Sequence, residues 1–147
     1  MAATGGTTGR RATTWPQTLS LVIGAVYLLV GIVGFFVTGF DDFFAHDTGE
    51  TLLGFEINGF HNVVHILIGV AGLVLARTLA GARTYGWLLA VGYGAAFVYG
   101  LIAINKEWDF LSLNWADNIL HLLTAVVGVV IALGPVRESV TGRSTRV

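Results

Sequence analysis

Four stretches of the chain are apolar for longer than one buried helix face requires, and polar residues gather in the segments between them. The first runs from Leu19 to Phe40 and, at about 1.5 Å per residue, reaches about 33 Å, enough for a hydrocarbon core of about 30 Å. The others extend from about Asn58 to Ala80, Tyr85 to Ile104 and Trp115 to Leu133, each of spanning length. Thr14-Trp15-Pro16-Gln17 marks the first start: Thr14 can cap the helix, Pro16 fits its first turn and Gln17 can complete a capping box. No small-residue cleavage pattern follows at Phe36–Phe40, so the first run is expected to be a retained helix rather than a signal peptide. The pattern predicts an all-α membrane protein with four transmembrane helices in an up-down bundle. Its spans fall at about 17–40, 58–80, 85–104 and 115–134 within a domain of residues 15–134, between a flexible N-terminus (1–14) and a tail (135–147).

A polar pattern is written twice inside this apolar background. Asn58-Gly-Phe-His61-Asn62-Val-Val-His65 and Asn114-Trp-Ala-Asp117-Asn118-Ile-Leu-His121 lie 56 positions apart, and Gly69 and Gly72 continue the first as Ala125 and Gly128 continue the second. Positions 58, 62, 65, 69 and 72 step by four and three residues, the spacing of a left-handed helix seam. Because small residues let helices approach in lipid and amides bond across such seams, helices 2 and 4 are expected to meet there, forming a polar pocket floored by a tight crossing. Gly24-Ala25-Val26-Tyr27 faintly echoes Gly94-Ala95-Ala96-Phe97, so the repeated unit is read as a helical hairpin.

Composition and charge sharpen this picture. Only 12% of residues are charged against 54% hydrophobic, far from the roughly one quarter charged in soluble domains. The absence of cysteine removes disulfides, thiolate ligands and a cysteine nucleophile, and a net charge of −1 gives no reason to expect nucleic acid. Arg10, Arg11, Arg77, Arg83, Arg137, Arg143 and Arg146 fall on one side and only Lys106 on the other. The positive-inside rule therefore predicts cytoplasmic termini and a cytoplasmic turn at Gly81–Thr84, as in a multi-pass bacterial inner-membrane protein. Trp15 and Trp87 fall at inner helix ends, and Trp108 and Trp115 at an outer one, as interfacial anchors do.

The doubled Asn-x-x-His/Asp-Asn-x-x-His pattern in a four-helix chain with a short basic inner turn resembles a family of small actinobacterial membrane proteins of unknown function. The resemblance runs from about Trp15 to Leu133. It implies the four-helix membrane fold and supplies no activity.

The polar pocket is where chemistry can reside, since ionisable residues within spans are costly. His61 and His65 lie four apart on one helix, as do Asp117 and His121 on the other, and the four form a candidate metal set for a transition metal, with Asn62 and Asn118 orienting the rings. His65 and His121 alone, at equivalent depths, are candidate axial ligands for haem b, with Gly69, Gly72, Ala125 and Gly128 making room for the ring. Against both stands interhelical adhesion, in which Asn and His simply bond across the bundle. Tyr27, Tyr93 and Tyr99 are candidates for the bundle interior, and the acidic loop Asp41–Glu50 for gathering cations above the pocket. No hydrolase elbow, P-loop, dinucleotide fingerprint or His-Glu-x-x-His is present, and apart from Arg77 beside the inner turn no span carries a charged residue in its inner half, which argues against classical catalysis and transport. The expected function is that of a small accessory or binding protein in the bilayer, working alone, as a homo-oligomer or within a larger complex, with haem or metal binding as the alternative.

Overall fold

The computed structural model describes residues 12–136. The flanking residues, which include the arginines at 10, 11, 137, 143 and 146 and most of both expected tails, lie outside the described part. The order is α1 (Trp15–Thr38), a short antiparallel hairpin of β1 (Thr51–Leu52) and β2 (Phe55–Glu56), then α2 (Gly59–Leu75), α3 (Leu79–Ala103) and α4 (Trp115–Leu133). Helices α1, α3 and α4 are long and apolar enough to cross a membrane; α2 is apolar and shorter, at 17 residues. The large apolar side chains on the bundle's outside, Leu29, Phe36, Val91 and Leu133 among them, are exposed as a lipid-facing surface demands, and the result is an all-α membrane bundle.

Local chemistry sets the helix starts. The Gln17 Oε1 accepts from the Thr14 backbone N–H and hydroxyl, with Pro16 in the first turn. Asn58 and Asn114 each accept the N–H three residues on, from His61 and Asp117, so the first letter of the repeat is a helix cap. The α2–α3 turn falls at Ala76–Thr78, earlier than Gly81–Thr84. Thr78 caps α3 by accepting from the Gly81 N–H, and Gly81 lies so close to the Leu75 carbonyl that a side chain there would collide with it.

The helices pair differently from the expected α2–α4 seam. α1 packs along α2 and α3 along α4, while α2 and α4 make no backbone contact. The small residues explain the change of partner. A methyl on Gly24 would lie 2.9 Å from the Gly69 carbonyl oxygen and the Gly72 Cα, and one on Gly86 would lie 2.7 Å from the Gly128 carbonyl oxygen. The stripe thus meets glycines on its own hairpin partner, where two bare backbones can touch. Asn62 lies directly over Gly34 and Asn118 directly over Gly100.

These contacts also fix the repeat. Tyr27 and Gly34 in α1 correspond to Tyr93 and Gly100 in α3, 66 positions on, so Gly24 matches Ala90 rather than Gly94. A core of Tyr27, Tyr85, Tyr93, Leu89 and Ile131 joins the two hairpins, and Tyr27 and Tyr93 meet with ring centres 5.2 Å apart.

Candidate functional site

The caps tie the two repeats together at the loop end of the bundle. Asn58 Nδ2 donates to the Phe110 carbonyl (2.8 Å) and Asn114 Nδ2 to the Gly54 carbonyl (2.9 Å), and positions 54 and 110 are themselves repeat equivalents. Asn58 also donates to the Ala45 carbonyl. Between them the Ser112 hydroxyl donates to Glu56 Oε1, again a pair 56 positions apart. The first two turns of α2 and α4 are thereby held on opposite sides of a pseudo-twofold axis.

Along that axis the imidazoles converge. His61 and His65 have ring centres 4.4 Å apart, and His61 reaches across the bundle to His121 at 6.1 Å. Tyr27 packs edge-on to His65 at 5.0 Å, and Tyr93 lies 5.3 Å from His121. All five side chains are buried. The Nδ1 atoms of His61, His65 and His121 are enclosed without a hydrogen-bonding partner among the described residues. The Tyr27 hydroxyl pairs with Thr124 Oγ1 (2.9 Å), whereas Ile68 stands at the position equivalent to Thr124 and the Tyr93 hydroxyl has no hydrogen-bonding partner among the described residues.

Among the remaining sequence candidates, Asp117 and Asn62 bond to protein groups. Asp117 Oδ2 accepts from the backbone N–H groups of Glu56 (3.0 Å) and Asn114 (3.1 Å), which turns the carboxylate toward the caps. Asn62 donates to the Thr38 hydroxyl, and both asparagines press on glycine backbone in their own hairpins. Both thus lie between paired helices, and the Asn62 Oδ1 and both polar side-chain atoms of Asn118 have no hydrogen-bonding partner among the described residues. Among the described residues no group of three or more His, Cys, Asp or Glu side chains is arranged to hold a metal ion. Gly69, Gly72 and Gly128 make close backbone contacts with α1 and α3 rather than facing the gap between α2 and α4. Tyr99 serves the loop end, accepting from the Phe110 N–H and donating to the Trp108 carbonyl. In the acidic loop, Asp47 and His46 line a polar hollow of about 200 Å³ with Glu56 and Lys106.

Two grooves lead to the histidines, a feature the sequence reading missed. The wider, about 420 Å³, runs between α1 and α4; the lipid-facing side chains Val22, Val26 and Leu123 line it together with Tyr27, His65, His121 and Thr124, and Leu52, Leu53 and Phe55 of the β-hairpin lie across its outer end. The narrower, about 110 Å³, runs between α2 and α3. Each residue of the narrow groove has its repeat equivalent in the wide one: Tyr93 for Tyr27, Ala96 for Val30, Leu111 for Phe55, Ile68 for Thr124, His61 for Asp117. His65 and His121 belong to both, each as the counterpart of the other. The duplication therefore built one buried imidazole centre with two lateral approaches. The signal for it was in the chain, since Tyr27 and Tyr93 share the 66-residue offset with Gly34 and Gly100, but it is visible only once those glycines are known to lie under the asparagines.

A family model described as "Domain of unknown function (DUF4383)" matches residues 17–134, the whole of this bundle. The chain belongs to that family. No curated protein and no solved structure matches it. For this DUF4383 member, function has to be argued from the site itself.

Proposed function

We propose that the chain is a small accessory or binding protein of the bacterial cytoplasmic membrane, with its termini and the α2–α3 turn in the cytoplasm, whose histidine centre receives a hydrophobic small molecule sideways from the bilayer. The observation that carries this reading is the wide groove. Its mouth is formed by side chains that face lipid, its floor includes the imidazoles of His65 and His121, and its volume of about 420 Å³ is within the range of small-molecule sites, roughly 300–1,000 Å³. Imidazoles at the floor of an otherwise mostly apolar groove favour a ligand with an apolar body and a hydrogen-bonding head.

The test is solvent extraction of untagged protein purified in mild detergent or lipid nanodiscs, followed by mass spectrometry. A hydrophobic molecule present at about one per chain, and depleted in a V26W variant that fills the groove mouth, is the expected result. Equal recovery from both proteins removes the groove from the function. Orientation is checked separately: because the chain has no cysteine, single cysteines at Thr78 and Asn105 should be labelled by an impermeant thiol reagent from the cytoplasmic and the outer side respectively.

A transition metal on the histidines is the second reading, favoured by the three buried Nδ1 atoms lying within one cluster. It needs the imidazoles to rotate toward a common point. Metal analysis of the same preparation decides it: about one zinc, copper or iron per chain, lost in H121A, supports the metal, and substoichiometric content in the folded protein dismisses it.

A further inference from the structure

We propose that the ligand of the α1–α4 groove is a quinone-type lipid, an uncharged planar ring held through its oxygens by His65 and His121 with a hydrocarbon tail leaving along Val22 and Leu123. The inference rests on the lateral-entry reading above and narrows it by the chemistry of the walls.

Charge excludes most membrane amphiphiles. Among the described residues no lysine or arginine lines either groove. The ionisable carboxyl at the floor of the wide one, Asp117, is engaged by two backbone N–H groups. A phosphate or carboxylate head brought to the histidines would be buried beside a carboxyl and without a cation, which is strongly unfavourable. A neutral head carries no such cost. Imidazole supports it from either tautomer, donating to a carbonyl oxygen or accepting from a hydroxyl, so the oxidised and reduced forms of such a ring are both accommodated.

Shape then favours a ring over a simple alcohol. Tyr27 and Phe55 present aromatic faces or edges along the groove, and planar rings pack on these with a preference beyond area burial. The two imidazoles come from the two repeat halves and are related by the pseudo-twofold axis, so they suit a head carrying two oxygens better than one carrying a single hydroxyl. The α2–α3 groove reaches the same histidines with about 110 Å³, too little for a second ring, so one head per chain is the required stoichiometry.

The experiment is native mass spectrometry of the full chain released from mild detergent after incubation with one of four probes: a decyl-substituted benzoquinone, a long-chain fatty acid, a long-chain alkylamine and phosphatidylglycerol. The expected result is retention of one quinone per chain, abolished in V26W and reduced at least about tenfold in H121F, the loss anticipated when a buried hydrogen-bonding partner is removed. V26W alters a half-exposed, lipid-facing position, so it tests the groove even if H121F fails to fold. Retention of the fatty acid, the amine or the phospholipid in preference to the quinone, with V26W still blocking it, overturns the quinone assignment and leaves lateral binding standing. Retention of no probe, or retention that V26W leaves unchanged, overturns both.

Discussion

The wide and narrow grooves share a floor and an ancestry, yet the wide one is flanked by the bulkier helix-1 residues Val26 and Val30, and the narrow one by Gly92 and Ala96. Side-chain size alone would give the opposite ranking. The difference follows from connectivity. α2 and α3 are joined by the short Ala76–Thr78 turn and approach each other more closely than α1 and α4, which no loop ties together. In a duplicated hairpin bundle the covalent link between repeats closes one interface and leaves its pseudo-symmetric mate open. The polar positions diverge in step: Thr124 satisfies Tyr27 on the wide side, and Ile68 leaves Tyr93 without a partner on the narrow side.

The most damaging way to probe that comparison is through the helix contacts common to both hairpins. G72L and G128L, at equivalent positions of the two repeats, each drive a side chain into backbone of the partner helix; each is expected to cost more than about 3 kcal/mol and to prevent recovery of a folded monodisperse protein. Size-exclusion and thermal unfolding in detergent read this out. Tolerance of one but not the other would break the equivalence of the hairpins.

The caps should separate the repeats by a smaller margin. Asn58 is buried and makes three hydrogen bonds, to the His61 N–H and the Ala45 and Phe110 carbonyls; Asn114, half-buried, makes two. N58A is expected to destabilise by about 2–3 kcal/mol and N114A by about 1–2 kcal/mol. Reversal of that order in thermal unfolding would show that the crossed cap bonds do not hold the loop end together.

At the histidine floor the expected effects are smaller again. Y27F removes a hydroxyl paired with Thr124 and should cost about 1 kcal/mol, while Y93F removes an unpartnered one and should be neutral or slightly stabilising. Giving Tyr93 its missing partner by I68T should then restore a difference between Y93F and its parent, a coupling that a double-mutant cycle measures directly. The smallest effect belongs to A96W. Because it fills only the narrow groove, ligand recovery is expected to stay within about twofold of the unaltered protein, against complete loss in V26W; equal loss in both would make the grooves functionally alike.

Much of this was legible along the chain because each inference concerned one helix at a time. Long apolar runs in lipid have to satisfy their backbone internally, so they are helices. Asn58 and Asn114 cap the helices they precede because the needed N–H lies three residues away. The capping box at Thr14 and Gln17 is equally local, and the doubled motif could be seen by alignment alone. The turn between α2 and α3 was misplaced at Gly81–Thr84 because a glycine reads as a break, whereas Gly81 is required by its close approach to the Leu75 carbonyl.

Partner choice was not legible in the same way. Periodicity tells which residues share a face, and the Asn-Asn-His-Gly-Gly stripe does share one, but it carries no information about which helix that face meets. The chain by itself determined the number of helices, their membrane character, the duplication and the polar residues that the repeat carries, since these follow from local hydrogen bonding and from the exclusion of water. Only the tertiary structure decided that the asparagines lie on Gly34 and Gly100, that His61, His65 and His121 gather between the two tyrosines, and that the bundle stays open between α1 and α4. These depend on how closely two backbones approach, a distance set by every contact along both helices at once.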